Sequence, residues 1–354
     1  MSIVIDNKKI TDINISNKNV QKIVDELTGK IIFEKTKPVS NEYFYIENTY
    51  NGSNTISLKT TIGSDIITGS HASQLQYSKD KETWTTITLS GTNTIPMNSG
   101  ERVYFRNDNG FFNWYNSGSY QDYFCTQIDC TKAHKVGGNI NTLLDYKNPN
   151  VAITPYCFYQ LFQKNEYLTS ASELIFSKTS LAPYCYYEMF YDCTSLKTAP
   201  TELPATNLAD SCYDSMFENC TSLTTAPALP ATSLVYGCYR QMFSSCSELT
   251  TAPALPATTL AGDCYERMFE GCTSLVNAPE LPATALANYC YRYMFYACRK
   301  LNSITVYAND VSATDCTTDW LSGVASTGTF RNLGSAIYSR DASGIPSGWT
   351  EVKN

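Results

Sequence analysis

Cysteine and histidine are the side chains of this sequence best suited to chemistry, and their spacing decides which chemistry is open to them. The 354 residues include fourteen cysteines and two histidines. A zinc site usually combines a C-x-x-C pair with a second pair or a histidine, and the sequence has no such grouping. His71 and His134 lie in a predicted turn and in a basic stretch, with no serine nucleophile motif and no H-E-x-x-H around them. We interpret both as solvated loop histidines and expect no metal and no cofactor.

Other signatures of catalysis are equally scarce. No P-loop and no G-x-G-x-x-G opens a predicted helix. Carboxylates are plentiful, but a glycosidase pair is defined by the distance between two carboxyl groups, which a sequence does not contain. The sequence therefore predicts a protein that is not an enzyme. A glycan-cleaving enzyme with accessory repeats is the alternative, and it would need a catalytic domain that no segment supplies.

Most of the cysteines belong to a repeat. Copies of C-Y-x-x-M-F-x-x-C begin at Cys185, Cys212, Cys238, Cys264 and Cys290, and the last four start 26 residues apart. Apolar residues recur within a copy at steps of four, a spacing that is typical of one face of a helix. Between copies runs a Leu-x-x-Ala-Pro segment, whose proline limits it to a short strand. Each rung is thus predicted to contain a short strand, a turn and a helix that starts near Pro155 or Pro183 in the first two rungs.

The predicted helix argues against disulfides within the repeat. Two cysteines eight residues apart along a helix would be about 12 Å apart, which is too far for a bridge. Helices of adjacent rungs would pack about 8–10 Å apart, which also disfavours bridges between rungs. We expect the ten cysteines from Cys185 to Cys298 to be reduced and to pack as small apolar side chains. Cys125 and Cys130 lie outside the repeat and either pair or stay reduced.

The F-x-x-C-x-x-L core, followed by a proline-containing strand, resembles the BspA-type leucine-rich repeats. These repeats occur in surface and phage-encoded proteins of gut Bacteroidetes. The resemblance covers about residues 150–354, including the GTFRN and SGIPSGW segments, although the 26-residue period exceeds the commoner period of that family. It implies binding to host proteins, cells or glycans, and it carries over no catalytic residues.

The first half of the sequence reads as β-structure. Segments such as EYFYIEN, TISLKTT and RVYFRN alternate apolar and polar residues between turn signals, which predicts an immunoglobulin-like β-sandwich over 38–148. The LQYSKDKETWTTI and SGERVYFRN segments also resemble small β-domains that precede such repeats. Residues 1–37 are too few to fold alone, so we predict a β-rich segment for attachment or oligomerisation. Its candidate contact residues are Ile3, Ile5, Ile13, Ile15, Ile31, Ile32 and Phe33.

The predicted fold class follows from these segments. It is a multidomain β plus α/β protein, in which an N-terminal β-sandwich precedes a leucine-rich-repeat-like solenoid with a short strand, a turn and a helix in each rung. The solenoid is predicted over 149–307, and residues 308–354 are predicted to form a C-terminal cap.

Charge and hydropathy narrow the partners. The net charge of -7 and the pI of about 5.0 disfavour nucleic acid, because an acidic surface repels the phosphate backbone. No apolar stretch approaches the roughly 20 residues of a membrane helix, and the opening residues lack the apolar core of a secretion signal. We expect a bacteriophage virion protein of fibre or decoration type, assembled in the host cytoplasm. This expectation combines the missing export signal with the N-terminal segment, the free cysteines and the resemblance to repeats of phage-encoded proteins. The alternative is a leucine-rich-repeat adhesin of the bacterial cell surface.

The partners would divide between the two ends of the chain. The N-terminal segment would join other virion proteins or other copies of this chain, and the repeats would bind a host-surface glycan or protein. Rungs differ most at the outward positions of the predicted helix, so Arg240, Arg292, Tyr293 and Tyr296 are the candidate ligand contacts. The alternatives are that these residues only form a solvated face, or that the ligand binds the opposite, threonine-rich face. Tyrosines at the invariant position, such as Tyr239, are predicted to be structural.

Overall fold

The chain divides into two compact units, residues 1–41 and residues 42–354. The computed structural model describes residues 42–62, 74–108, 112–115, 123–148, 150–341 and 343–353, together with four short strands before residue 42. These residues contain no α-helix and a single 3-10 helix, Ile140–Leu143. Nothing within the described ranges forms a helix long and apolar enough to cross a membrane.

The first unit contains two small antiparallel sheets. Its strands are β1 (Ile3–Ile5), β2 (Lys8–Ile10), β3 (Lys22–Val24) and β4 (Ile31–Glu34). β1 pairs with β2, with Ile3 opposite Ile10, and β3 pairs with β4, with Ile23 opposite Phe33. Five of the predicted attachment residues thus lie on β1 and β4, whereas Ile13 and Ile15 lie outside the described residues.

The second unit begins with two sheets, which we call the β-domain (residues 42–148). Its strands are β5 (Phe44–Asn48), β6 (Asn54–Ile62), β7 (Gln74–Ser78), β8 (Thr85–Thr88), β9 (Thr92–Met97), β10 (Arg102–Arg106), β11 (Trp114–Tyr115), β12 (Tyr123–Cys130) and β13 (His134–Asn139). Alternate residues are buried in strands such as β10, where Val103 and Phe105 face the core, as the pattern of an antiparallel strand requires. One sheet has the order β11-β12-β6-β9. The other has the order β14-β13-β5-β10-β7-β8, in which β14 (Leu168–Ile175) comes from the second half of the chain.

The second half, which we call the rung stack (residues 150–353), is also built from main-chain pairing between neighbours. β14 pairs in parallel with β13 and forms a bridge to the next rung, where Ser170 lies opposite Thr198. Single parallel bridges then join Thr198 to Thr225 and Thr225 to Thr251. These bridges stay short because the prolines that follow lack an N–H. At the far end β15 (Asn277–Leu281), β16 (Ser303–Val306), β17 (Gly328–Asn332) and β18 (Trp349–Lys353) form a regular parallel sheet.

The opposite side of each rung is a chain of tight turns, which we call the turn ribbon. The seven turn ribbons occupy residues 154–165, 182–193, 209–220, 235–246, 261–272, 287–298 and 313–323. Alternate N–H groups bond three residues back, as Cys212 does to the carbonyl of Ala209 at 3.1 Å. The N–H groups between them bond to the next rung, as Tyr213 does to the carbonyl of Cys238 at 3.1 Å.

The prediction of a helix in each rung is therefore wrong, and with it the predicted α/β, leucine-rich-repeat-like fold class. In an α-helix all main-chain bonds stay within the segment, whereas half of those in the ribbon join adjacent rungs. Every fourth ribbon residue has a left-handed φ, for example 50° at Ser211, 55° at Ser215 and 60° at Asn219. Steps of four therefore place apolar residues on one side of a ribbon just as they do on a helix. Pro183 precedes Tyr184, whose φ is 55°, and this is the placement of proline in a type II turn rather than at a helix start.

Two ladders of stacked aromatic rings run through the interior of the rung stack. One consists of Phe158, Tyr186, Tyr213, Tyr239, Tyr265, Tyr291, Trp320 and Tyr338, and the other of Phe44, Phe162, Phe190, Phe217, Phe243, Phe269 and Phe295. The structural role predicted for the invariant tyrosines is confirmed, and apolar residues of the repeat such as Leu223, Met242 and Phe243 are fully buried. Phe44 belongs to β5, and its ring contacts that of Phe162 at a tilt of 41° with centroids 6.1 Å apart, so the second ladder begins in the β-domain. The buried residues of both parts form one continuous core.

Candidate functional site

The predicted ligand contact Arg240 lies on the fourth turn ribbon and forms an ion pair between rungs. Its Nη2 and Nε atoms lie 2.7 and 2.9 Å from Oδ2 of Asp214, one rung earlier. Asp214 is only 1% exposed. Burial raises the pKa of its carboxyl group to about 6, although the hydrogen bond to Arg240 opposes that rise. Arg240 thus compensates a buried carboxylate while its Nη1 atom takes no part in the pair.

The other three predicted contacts, Arg292, Tyr293 and Tyr296, lie together on the sixth ribbon. Arg292 places Nη2 and Nε 2.6 and 3.0 Å from one carboxylate oxygen of Glu266, so its charge is also compensated by the preceding rung. The rings of Tyr293 and Tyr296 meet edge to face with their centroids 5.8 Å apart. Tyr296 is 39% exposed. This group is two rungs away from Arg240, so the structure does not bring all four predicted residues into one site.

A cleft of about 560 Å³ lies instead where the β-domain meets the first turn ribbons. We call it the tyrosine cleft. It is lined by Thr61, Asn113, Phe124, Cys125, Gln127, Tyr156, Tyr159, Gln160, Tyr184, Tyr187 and Arg240. Its volume is within the range of about 300–1,000 Å³ found for small-molecule sites, which are mostly apolar with a few directed polar groups. Of the predicted ligand contacts, only Arg240 reaches it.

Four tyrosines form the ribbon side of the tyrosine cleft. The ring of Tyr156 stacks on that of Tyr184 with centroids 4.9 Å apart, and the ring of Tyr159 stacks on that of Tyr187 at 5.4 Å. The two pairs also touch each other, since the rings of Tyr156 and Tyr159 meet at 5.8 Å. Stacking fixes the rings before any ligand arrives, which lowers the entropic cost of binding.

Asn113, in the wall contributed by the β-domain, carries a polar group without a partner. Its Oδ1 atom accepts a hydrogen bond from the N–H of Thr126 at 2.8 Å, so the orientation of the amide is fixed. Its Nδ2 atom has no hydrogen-bond partner, and the residue is only 1% exposed. An unpaired buried donor costs about 1–3 kcal/mol. A ligand acceptor that enters the cleft far enough to bond Nδ2 would remove that cost.

A buried polar group holds the two walls together. The Nε2 atom of His134 lies 3.1 Å from Nδ2 of Asn165, which also donates to the carbonyl of Ile128 at 3.2 Å. The Nδ1 atom of His134 lies 3.0 Å from the carbonyl of Lys132, so Nδ1 carries the proton and Nε2 accepts. The interpretation of His134 as a solvated loop histidine is wrong, because its side chain is fully buried. His71 lies outside the described residues.

The threonine-rich side of the rung stack offers a different surface. Thr224, Thr225, Thr250 and Thr251 are exposed there, as the sequence suggests. Shallow grooves between adjacent rungs, lined by residues such as Pro253 and Pro256, cross this side. These grooves lack the combination of stacked rings and an unpaired buried donor, so the tyrosine cleft is the stronger candidate.

Neither metals nor disulfides feature in the described part of the chain. No group of three or more His, Cys, Asp or Glu side chains there is arranged to hold a metal ion. All fourteen cysteines, including Cys125 and Cys130, are buried free thiols.

Comparisons with known proteins add no functional residues. No known protein family, characterised protein or solved structure matches this chain. The resemblance to BspA-type repeats consequently stays a prediction, and the argument for function depends on the tyrosine cleft.

Sequence reasoning missed most of the residues that line the cleft. It singled out Arg240 but not Tyr156, Tyr159 or Asn113. A signal for the tyrosines was present: the P-Y-C-F-Y and P-Y-C-Y-Y segments of the first two ribbons carry tyrosine where the next three carry Ser, Asp, Gly, Arg or Glu. No local pattern marks Asn113, because only its place beside β12 makes it part of a cleft.

Proposed function

We propose that this chain is a non-enzymatic adhesion protein of a bacteriophage particle, of fibre or decoration type, which holds a host-surface ligand in the tyrosine cleft. The observation that carries the proposal is the cleft itself, where stacked aromatic rings and Asn113, whose Nδ2 donor is buried and unpaired, line the same space. Such a combination suits binding, because rings supply contact area and directed polar groups supply specificity.

The frame around the tyrosine cleft supports a binding role. One wall is a paired sheet strand, β12, and the other is a ribbon whose N–H groups bond to the next rung. Ile128 in β12 donates to the carbonyl of Leu161 at 2.7 Å, so the walls are joined directly. A rigid site loses little conformational entropy when the ligand binds.

We assign particle attachment to the N-terminal segment predicted over residues 1–37, which lies within the first compact unit. Its described strands are three or four residues long and form sheets of two strands. Two-stranded sheets of this size are marginal on their own and present edges to which another strand can add. The alternative setting is the bacterial cell surface, where the same cleft would serve an adhesin and residues 1–41 would contact a different partner.

Binding of the labelled full-length chain to intact Bacteroidetes cells tests the proposal. We expect saturable binding that falls by about ten-fold in the double variant Tyr156→Ala, Tyr159→Ala, since about 1.4 kcal/mol corresponds to a factor of ten. The matched control is Tyr293→Ala, Tyr296→Ala, which removes two tyrosines from the sixth ribbon. The absence of saturable binding to any strain, or equal loss in both variants, would overturn the assignment.

A further inference from the structure

The polar groups of the tyrosine cleft indicate what kind of ligand it takes. Donors are present at Nδ2 of Asn113 and at Nη1 of Arg240. Acceptors are present at the side-chain carbonyl oxygens of Gln127 and Gln160, because each amide uses its Nε2 atom in a bond to a neighbour, Gln163 at 3.2 Å and Glu188 at 2.7 Å respectively. Hydroxyl groups both donate and accept, so a ligand rich in hydroxyls matches this mixture.

The charges beside the cleft argue for a neutral ligand. Arg240 is the one cation among the lining residues that the structure describes, and Asp214 compensates it. Glu188 lies next to the cleft and accepts hydrogen bonds from Gln160 and Gln163 at 2.7 and 2.6 Å. A carboxylated or sulfated ligand would therefore meet a local excess of negative charge, and like charges in a partly buried site repel strongly.

The main chain around the cleft argues against an extended peptide. A peptide in extended form binds most readily by adding to an open strand edge. β12 is paired along its length with β6 and, at Tyr123 and Phe124, with β11. Further along that second edge, the N–H of Thr126 bonds to Oδ1 of Asn113 and the N–H of Ile128 bonds to the carbonyl of Leu161. Main-chain N–H groups of the first ribbon bond to the second, as those of Phe158 and Gln160 do to Cys185 and Tyr187. Recognition in the cleft therefore falls to side chains.

The tyrosine rings of the cleft also suit a ligand with a saturated ring. Aromatic faces carry negative potential and attract the weakly positive C–H groups of a saturated ring. A sugar presents C–H groups on its faces and hydroxyls at its rim. We infer that the tyrosine cleft binds a neutral oligosaccharide, with sugar faces on the tyrosines and hydroxyl oxygens on Asn113 and Arg240; this inference rests on the adhesion function proposed above.

The test uses the full-length chain and two sets of immobilised oligosaccharides. One set is neutral, with oligomers of glucose, mannose, galactose and N-acetylglucosamine; the other is acidic, with uronate-containing, sialylated and sulfated oligomers. We expect retention on at least one neutral probe and none on the acidic set. Tyr159→Ala and Asn113→Asp should each weaken that binding by about ten-fold or more, because the second change removes the donor while it keeps the bond to Thr126. Tyr293→Ala should change it by less than about two-fold.

A thermal melt of each variant shows whether it is folded. Only loss of binding by a folded variant is evidence that the changed residue contacts the ligand. If Asn113→Asp unfolds, Gln127→Ala supplies the second polar change in the same wall. Retention on acidic probes alone, or equal binding by wild type and Tyr159→Ala, would overturn the inference.

Treated cells separate this inference from the proposed function. Periodate destroys sugars with adjacent hydroxyls, and protease removes surface proteins. Binding lost after periodate and kept after protease supports an oligosaccharide ligand. Binding lost only after protease leaves the adhesion function standing and refutes the sugar, whereas no binding to untreated cells refutes the adhesion function itself.

Discussion

The cysteines show how a single residue type serves this fold. The second cysteine of each repeat donates its S–H to a phenylalanine carbonyl of the preceding rung, as Cys220 does to Phe190 at 3.1 Å and Cys246 does to Phe217 at 3.1 Å. Burial holds the pKa of the Cys220 thiol well above its usual value, so the proton needed for this bond stays in place. The cysteines thus act as donors between rungs in addition to filling space.

Substitution of Cys220 distinguishes a donor from a purely apolar side chain. We expect Cys220→Ala to lower the free energy of unfolding by about 1–2 kcal/mol, through the lost bond and a small cavity. Cys220→Ser keeps a donor and should cost no more than Cys220→Ala. Urea unfolding of the three proteins checks this order. A serine variant clearly less stable than the alanine variant would show that only the apolar character of the thiol matters.

His134 is expected to make stability depend on pH. Burial lowers the pKa of its imidazole from 6.5 to about 4, so the folded state favours the neutral ring. The contribution of His134 to the free energy of unfolding is therefore complete above pH 6.5. As the pH falls toward 4, up to about 3 kcal/mol of it is lost. Asp214 acts in the opposite direction, because its raised pKa adds stability at low pH that is lost as the pH rises through about 6.

Comparison of wild type with His134→Gln isolates the histidine, since both proteins keep Asp214. We expect the variant to be less stable at pH 7.5, where the neutral ring forms both of its hydrogen bonds. The difference should narrow as the pH falls to about 4. Chemical denaturation across this pH range measures it, and a difference that does not change with pH would contradict the assigned burial.

At the scale of the element, the turn ribbon explains why these rungs need no helix. Its left-handed positions hold Gly237, Gly271 and Gly323 in three rungs, and residues such as Asn219 and Asp192 in others. These residue types tolerate positive φ better than most. Ordinary residues occupy the remaining places, for example Gln241 with a φ of 53°. The interlocked hydrogen bonds between rungs hold them there.

The substitution Gln241→Gly should therefore be tolerated, whereas the same substitution in an α-helix would lower stability. Relief of the left-handed strain offsets the entropy that glycine adds to the unfolded chain, so we expect a change between zero and a gain of about 1 kcal/mol. In an α-helix the same change would cost about 1 kcal/mol. Ser244→Gly, at a neighbouring position outside the left-handed set, is the control and should destabilise. Thermal melts of the wild type and both variants measure these changes in stability. A Gln241→Gly variant that is less stable by about 1 kcal/mol would indicate a helix instead of a turn ribbon.

At the scale of the whole molecule, the β-domain is the first layer of the rung stack. β13 pairs with β14, and the phenylalanine ladder runs from Phe44 to Phe162 and onward. Asn165 stands where the repeat otherwise has its second cysteine, and its amide bonds to the β-domain instead of to a preceding rung. The first rung therefore deviates from the repeat because its neighbour is a sheet.

Removal of residues 1–41 tests this division of the molecule. Residues 42–354 form a compact unit with one continuous core, so we expect the shortened chain to be soluble and to unfold in a single cooperative transition. It should keep ligand binding and lose incorporation into particles. Calorimetry and particle purification provide the two measurements. Normal incorporation of the shortened chain would refute attachment through this segment, and two separated transitions would refute the shared core.

The sequence by itself determined the repeat, its rung length and its core. Cys, Tyr, Met and Phe recur at fixed places because each rung must fill the same interior space, and the structure buries Cys238, Tyr239, Met242 and Phe243 as that pattern requires. Short strands limited by proline also followed from local chemistry, and so did the β-structure of the first half.

Only the tertiary structure decided between a helix and a turn ribbon. Steps of four satisfy both. The choice depends on whether main-chain N–H groups bond within a rung or to the next rung, and the bonds between adjacent turn ribbons join residues 25 to 27 positions apart. The tyrosine cleft could not be predicted from the sequence for the same reason. Asn113 and Tyr159 are 46 residues apart and become walls of one cleft only when the β-domain docks on the first ribbon. Local sequence patterns record the burial of a side chain, whereas such contacts arise from the assembled fold.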